Sequence, residues 1–175
     1  MRYFPEILEP TYDLMIDGSQ IYSQIYESLV VLDSDCKTIN PHLAVDWKIS
    51  KDKCTYTFYL RNNVYFHDGT KLSTRSVSGT YEYLRNIEYG SEIFDHASKI
   101  NIIDSLTFQF VLKKPYSNFL NVLASPENFQ LMSENALLEY GKDVGWHPVG
   151  TGPFKMDHWA DKQYITLEKY SKYWG

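Results

Sequence analysis

Apolar and polar residues alternate through TYTFYL, residues 55–60, as they do in a strand that buries one of its faces. Val64 and Phe66 continue the alternation, and the dipeptide Asp68-Gly69 that follows is typical of a tight turn. The stretch that ends at Ser73 therefore predicts a strand, a second strand, a turn and the cap of a helix.

Helical spacing appears in four further places. A helix begins at Ser73 or Thr74 and runs to about Glu88, with Val77, Tyr81 and Leu84 along one stripe. Another carries Ile21, Ile25 and Leu29, with Asp17 or Ser19 as its cap, and leads into a short strand over 29–32. Two more helices are predicted, one that begins at Pro115 and one over 133–140.

Strand patterns fill the remaining segments. HLAVDWKIS, residues 42–50, precedes the alternating stretch, and residues 100–103 and 107–112 predict a hairpin across Asp104-Ser105. Near the end, the loop VGTGPF is followed by the alternating strand YITLEKY. Hairpins mixed with intervening helices indicate the α+β class.

Composition narrows the class of protein. The chain has 175 residues, 43% of them hydrophobic and 22% charged, which is typical of a folded globular protein. Its net charge is −5 and it has no run of Lys or Arg, so nucleic acid is not an expected partner. It has neither an apolar stretch of membrane-spanning length nor a basic-then-apolar signal after Met1.

The motifs of common catalytic and metal sites are missing from the sequence. The five histidines are scattered without the spacing of a metal site, and no nucleophile elbow occurs. Gly150-Thr151-Gly152-Pro153 lacks the Lys-Ser/Thr pair of a phosphate-binding loop, and Pro153 has no N–H to offer. Cys36 and Cys54 match no metal or redox motif; free thiols are favoured and a disulfide stays open. We therefore expect no enzyme, no cofactor and no metal.

Several pieces of the chain, in order, resemble one family, the family 5 extracellular solute-binding proteins, which include oligopeptide-, dipeptide- and nickel-binding components of ABC importers. The pieces are LEP (8–10), QIYESLVVLD (24–33), INPHLAVDWKIS (39–50), TYTFYLRNNVYFHDGTKLS (55–73), VGTGPFKM (149–156) and YSKYWG (170–175). The chain departs from the family pattern at Asn63, where an acid is usual, and at Arg75-Ser76, where an acid pair is usual.

The resemblance implies a type II periplasmic-binding-protein-like fold. Members of the family are longer, so the chain would correspond to part of lobe I, with the second lobe absent and the chain truncated. Residues 1–38 and 148–175 would form a partial lobe I core, and 39–147 an inserted subdomain of hairpins and helices.

The resemblance also implies where the ligand cleft lies. Lobe I contacts in the family come from three segments, here near 14–19, 89–94 and 125–128. The candidate ligand-binding residues are Asp17, Ser19, Tyr89, Phe94, Glu127 and Asn128. Helix capping, plain packing and solvated loop positions are the alternative roles for these three pairs. Nickel-chelate binders often have an Arg in the third segment, and its absence from 124–130 favours peptides.

The leading hypothesis is a ligand-binding lobe that delivers peptides, or nickel chelates, to the permease of an ABC importer. Its location would be extracytoplasmic, in the periplasm or lipid-anchored at the cell surface. The alternative is a solute-sensing domain of a cytoplasmic transcription regulator that carries a family 5 binding domain. A single lobe retains only part of the cleft contacts, so we expect the chain to bind its ligand weakly or not at all.

Overall fold

The computed structural model of the chain describes residue 8 and the ranges 16–87, 96–126, 128–160 and 163–175, with the backbone alone at 16 and 17. The helices are α1 (Ile16–Ile25), α2 (Thr74–Arg85), α3 (Phe119–Ala124) and α4 (Glu134–Tyr140), which continues into a 3₁₀ helix, Gly141–Trp146. The strands are β1 (Val30–Leu32), β2 (Ile39–Pro41), β3 (Ala44–Ile49), β4 (Thr55–Leu60), β5 (Ala97–Ile102), β6 (Thr107–Leu112), β7 (Phe154–Ala160) and β8 (Tyr164–Lys169).

A four-stranded antiparallel sheet in the order β3-β4-β6-β5 forms the centre of the larger core. Alternate residues of β4 and β6 are buried, and the rings of Phe58 and Phe108 stack with their centroids 5.4 Å apart. α2 supplies the predicted stripe of Val77, Tyr81 and Leu84 to the same core. This arrangement confirms the α+β class, the 100–112 hairpin and the alternation of β4.

A smaller core lies where α1 meets α4 and the β7-β8 hairpin. Its buried members include Tyr22 and Ile25 from α1, Tyr26 just after it, and Ala136 from α4. Met156 and Leu167 of the hairpin and other half-buried residues pack against it. The two cores are in contact through residues such as Tyr83, which packs against both.

Caps define the ends of two predicted helices. The Ser73 side chain accepts from the backbone N–H of Arg75 at the start of α2, as predicted. α2 ends at Arg85, and Glu88, its predicted end, lies outside the described residues. Ser133 caps α4 by accepting from the Ala136 N–H, which confirms the 133–140 prediction.

The predicted cap of α1 is wrong. α1 begins at Ile16, so Asp17 and Ser19 lie within its first turn and not before it. Local cap preferences are weak, and the observed helix extends back past the signal at Asp17 and Ser19.

The second predicted strand of the opening stretch is also wrong. Val64 and Phe66 are fully buried, but this segment makes only an isolated bridge, between Tyr65 and Lys71. β3 and β6 already occupy both edges of β4, so no edge remains for a hairpin partner. The Gly69 turn is present, with a φ of 85° that suits glycine.

Three smaller differences concern the remaining segments. α3 begins at Phe119 and not at Pro115, and β2 and β7 were not predicted. In β7 the pairing shifts between Met156 and His158, which breaks the alternation that would have revealed a strand. Cys36 is exposed, Cys54 is half-buried and both are free, which confirms the favoured interpretation.

Candidate functional site

The structure describes only part of the predicted ligand site. Tyr89, Phe94 and Glu127 lie outside the described residues, as does the side chain of Asp17. Ser19 lies in α1, and Asn128 lies in the loop after α3, where its N–H donates to the Ser125 carbonyl.

A pocket of about 280 Å³ lies next to both of these segments. Ser23 and Gln24 of α1 line one side, Pro126 and Gln130 of the loop after α3 line another, and Tyr173 closes a third. Neither Ser19 nor Asn128 is among the lining residues. Pro126 of the third predicted segment lines this pocket, whereas the first segment contributes none of the lining residues and only shares its helix with Ser23 and Gln24.

The second predicted segment has no described residues at this pocket. The chain that leads to it, at Asn86 and Ile87, lines a larger groove of about 630 Å³ between α2 and α4. That groove is mainly apolar, with Leu138 largely exposed in it. We take the smaller pocket as the candidate site because buried polar groups converge on it.

The backbone holds the loop after α3 against the end of α1. Gln130 forms a bridge with Ser28, and the Leu131 N–H donates to the Glu27 carbonyl at 2.9 Å. The next amide, Met132, donates to the Thr80 hydroxyl at 3.0 Å, which ties the loop to α2. The pocket wall is thus fixed by main-chain contacts.

Glu27 is the centre of the polar groups at this site. It is 5% exposed, and its two carboxylate oxygens face four side chains. The donors are Tyr173 Oη at 3.0 Å and His42 Nε2 at 3.3 Å from Oε1, and Thr151 Oγ1 at 2.7 Å and Trp174 Nε1 at 2.8 Å from Oε2. A carboxylate with two donors on each oxygen has little capacity left for a ligand or a proton.

The hydrogen bonds decide the charge of Glu27. Burial by itself raises its pKa, but the bonds from His42, Trp174 and Thr151 outweigh burial and hold the pKa below its usual 4.5. The same contact acts in the opposite direction on Tyr173. Burial and then the Glu27 charge raise the pKa of that phenol to about 12.

Trp174 is held on its other sides by the residues around Glu27. The Arg61 guanidinium lies 4.4 Å from the centre of the indole, close enough for a cation–π interaction. The Arg61 Nε also donates to the His42 carbonyl at 3.2 Å, and the His42 ring meets the indole edge-on at 5.5 Å.

The glycines on either side of Thr151 bring its hydroxyl to Glu27. A Cβ at Gly150 would lie 2.0 Å from the Ile25 carbonyl oxygen, and one at Gly152 would lie 2.4 Å from that of Gln24. The Gly152 N–H donates to the Ile25 carbonyl at 2.8 Å. The loop therefore touches the end of α1 so closely that only glycine fits at both positions.

We call these residues, Glu27 with His42, Arg61, Thr151, Tyr173 and Trp174, the Glu27 cluster. Sequence reasoning missed it, although each member lies in one of the family-like pieces quoted above. The only sequence feature that pointed toward the cluster was the order in which those family-like pieces occur. Their meeting on one carboxylate shows that they specify a shared structural centre.

The described part of the chain has neither a metal cluster nor a membrane-spanning helix. There, no group of three or more His, Cys, Asp or Glu side chains is placed to hold a metal ion. No described helix is both long and apolar enough to cross a membrane.

Comparison with known proteins then decides the family. The model of the bacterial extracellular solute-binding proteins, family 5 Middle, matches residues 38–175. This chain belongs to family 5. The glutathione-binding protein GsiB of Salmonella paratyphi A is 34% identical over 157 residues, which cover 88% of this chain and 30% of that protein.

Solved family 5 structures show the same fold. The periplasmic binding protein DppA of Helicobacter pylori, in complex with the peptide STSA, superposes with a TM-score of 0.84. Its sequence is 27% identical, and the match covers 97% of this chain and 38% of the DppA chain. AgaA of Agrobacterium tumefaciens R10, in complex with agropinic acid, superposes with a TM-score of 0.88. Its sequence is 28% identical, and the match covers 98% of this chain and 35% of AgaA. These matches confirm the type II periplasmic-binding-protein-like fold.

The chain spans about a third of the length of the relatives it matches. Neither the family description nor these three relatives name a transcription regulator. The relatives are binding proteins, as the leading hypothesis expects.

Proposed function

We propose that this chain is part of the ligand-binding lobe of an extracytoplasmic solute-binding protein that delivers peptides or related small solutes to the permease of an ABC importer. The observation that carries the proposal is the family 5 match over 38–175, a region that supplies His42, Gln130 and Tyr173 to the pocket beside Glu27. Proteins of this architecture hold a ligand between two lobes that close on it.

The ligand class follows from the relatives and from the loop after α3. Two relatives are named for glutathione or a peptide. The loop has no Arg between 124 and 130, which argues against a nickel chelate with free carboxylates. A short peptide or peptide-like solute is therefore the proposed ligand.

The proposed contact residues remain Asp17, Ser19, Tyr89, Phe94, Glu127 and Asn128. The pocket supports part of this set, because Pro126 belongs to the third segment and Ser23 and Gln24 lie in the same helix as Asp17 and Ser19. We also propose that 1–38 with 148–175 belong to the lobe I core and 39–147 to its inserted subdomain.

The chain is proposed to bind and not to catalyse. Glu27, the buried carboxylate at the pocket, already accepts hydrogen bonds from four donors, and its pKa lies below the usual 4.5. It therefore suits the role of a structural anion and not that of a general acid. The location that fits the family is extracytoplasmic, free in the periplasm or lipid-anchored.

Amide NMR of the labelled chain tests the proposal. Glutathione and the peptide Ser-Thr-Ser-Ala are added up to about 10 mM, and an equal concentration of free glycine is the control. We expect saturable shifts, with Kd in the millimolar range because one lobe supplies only part of the contacts. The shifts should centre on Ser23, Gln24, Asn128 and Gln130.

Saturable shifts centred on other residues would show that the ligand binds elsewhere on the chain. The absence of saturable shifts with both peptides would overturn the proposed function. Free glycine should produce no saturable shift at these positions.

A further inference from the structure

One buried polar atom at the pocket has no partner. Gln130 is only 4% exposed and lines the pocket, and its side-chain Oε1 is buried without a hydrogen bond from any described residue. Two other buried polar residues of the wall have partners. Glu27 accepts from four donors, and the Ser28 hydroxyl donates to the Val30 carbonyl at 2.7 Å.

The position of this amide is imposed by the scaffold. The Gln130 backbone is bridged to Ser28, and the residues after it are anchored to Glu27 and Thr80. The side chain is thus presented from a fixed backbone, as specificity-determining groups usually are.

A buried acceptor without a donor is costly, and such groups need an explanation. No donor of the described wall reaches it, although polar residues such as Gln24 and Ser28 line the pocket beside the apolar Val31, Ala124, Pro126 and Pro153. An acceptor of this kind, in the wall of a pocket, fits a donor that arrives with the ligand.

We propose that Gln130 is a specificity-determining residue that accepts a hydrogen bond from an N–H group of the bound solute. This inference rests on the proposed function and adds to it the chemistry that the pocket selects. Solutes with an amide or ammonium N–H at this point would bind, and analogues without that donor would leave the acceptor unsatisfied.

The test substitutes Gln130→Met, which keeps the length of the side chain and removes the acceptor. Affinity for glutathione and Ser-Thr-Ser-Ala, measured by the same NMR titration, should fall about 3- to 10-fold. The unfolding midpoint of the free chain should stay equal or rise, because an unpartnered buried acceptor is lost. A purely structural role for Gln130 would lower that midpoint.

Gln109→Met is the matched control. Gln109 lies on β6 and its Nε2 donates to the Thr57 hydroxyl at 3.1 Å, away from the pocket. This variant should leave affinity unchanged and lower the unfolding midpoint slightly.

Modified peptides identify the donor. Replacing the N-terminal Ser of Ser-Thr-Ser-Ala by 3-hydroxypropanoyl removes the ammonium group, and N-methylation removes the amide N–H groups one at a time. One of these changes should weaken binding to the natural chain and have no further effect on Gln130→Met.

The outcomes separate the two proposals. Equal affinity of Gln130→Met and the natural chain, or a lowered midpoint, overturns the role of Gln130 and leaves the binding function standing. No saturable shift with either peptide and the natural chain overturns both.

Discussion

The indole Nε1 of Trp174 donates a 2.8 Å hydrogen bond to Oε2 of Glu27, a residue 147 positions earlier in the chain. The acceptor is an ionised, buried carboxylate, and hydrogen bonds to charged groups stabilise a fold more than neutral ones. This contact therefore ties the YSKYWG segment to the end of α1.

Trp174→Phe should lower the free energy of unfolding by about 1–3 kcal/mol. The ring that stacks on Arg61 is retained, but Oε2 of Glu27 loses one of its two donors. Urea unfolding followed by circular dichroism measures the change. Trp146→Phe is the control, because Trp146 is 43% exposed and its ring can still stack on Trp159. Equal losses in the two variants would contradict a special role for the Trp174 bond.

Glu27→Gln should cost about 2–4 kcal/mol at neutral pH, because an amide N–H₂ would then face donors that need an acceptor. The pKa of Glu27 lies below its usual 4.5, so its stabilising contribution is complete above about pH 4.5 and is lost as the pH falls below it. The difference between the natural chain and the variant should therefore shrink in acid.

Unfolding free energies across the acid range measure this effect. Glu82→Gln, an exposed position on α2, should show no such difference at any pH. A gap between Glu27→Gln and the natural chain that stays constant down to about pH 3 would contradict the assignment.

Gly150→Ala and Gly152→Ala should each destabilise the chain by about 3 kcal/mol or more. The added methyl group would overlap a backbone carbonyl oxygen, and backbone atoms cannot move aside as a side-chain end can. Gly79→Ala is the control. Gly79 lies within α2, and a Cβ there would meet only the Leu137 Cδ1 of α4, at 3.4 Å. That change should be neutral or stabilising, since alanine favours a helix. Thermal unfolding ranks the three, and tolerance of alanine at 150 would contradict the close approach.

The pKa of His67 is held below its usual 6.5, chiefly by burial, which outweighs the hydrogen bond to the Gly152 carbonyl. Nε2 makes that bond at 2.9 Å, and Nδ1 is buried with no partner among the described residues. Protonation of the ring would place a second N–H, at Nδ1, in the protein interior without an acceptor. The stability that the neutral ring contributes is complete above about pH 6.5 and is lost as the pH falls.

The natural chain should lose stability between about pH 6.5 and pH 5, and His67→Gln should lose less over that interval. Urea unfolding at each pH measures it. His158→Gln, an exposed position on β7, should follow the natural chain. The same pH dependence in His67→Gln would show that another group titrates.

Local sequence patterns predicted those helices and strands that keep the same pattern of buried and exposed residues in the folded chain. The alternation of β4 and the Ser73 cap of α2 both survive in the structure, because one face of each element is buried. The error at Val64 and Phe66 has a physical cause. Their alternation reflects two separately buried side chains, and only the sheet order shows that β4 has no free edge.

The site was harder to predict because its parts are far apart in the chain. Thr151, Trp174 and His42 each look ordinary in their own segments, and their common partner, Glu27, becomes apparent only in three dimensions. The resemblance pointed to the right pieces without saying what joins them. Gln130 carried no sequence signal, since an unpartnered atom is a property of packing alone.

The sequence separation within the Glu27 cluster sets an order of events during synthesis. β3 to β6 and α2 lie within residues 44–112, so the ribosome releases everything the central sheet requires early. Glu27 leaves the ribosome before them, yet its indole donor emerges some 147 residues later. A nascent chain can therefore complete the sheet while the carboxylate is still hydrated, and full desolvation of Glu27 has to wait until residue 174 has been synthesised.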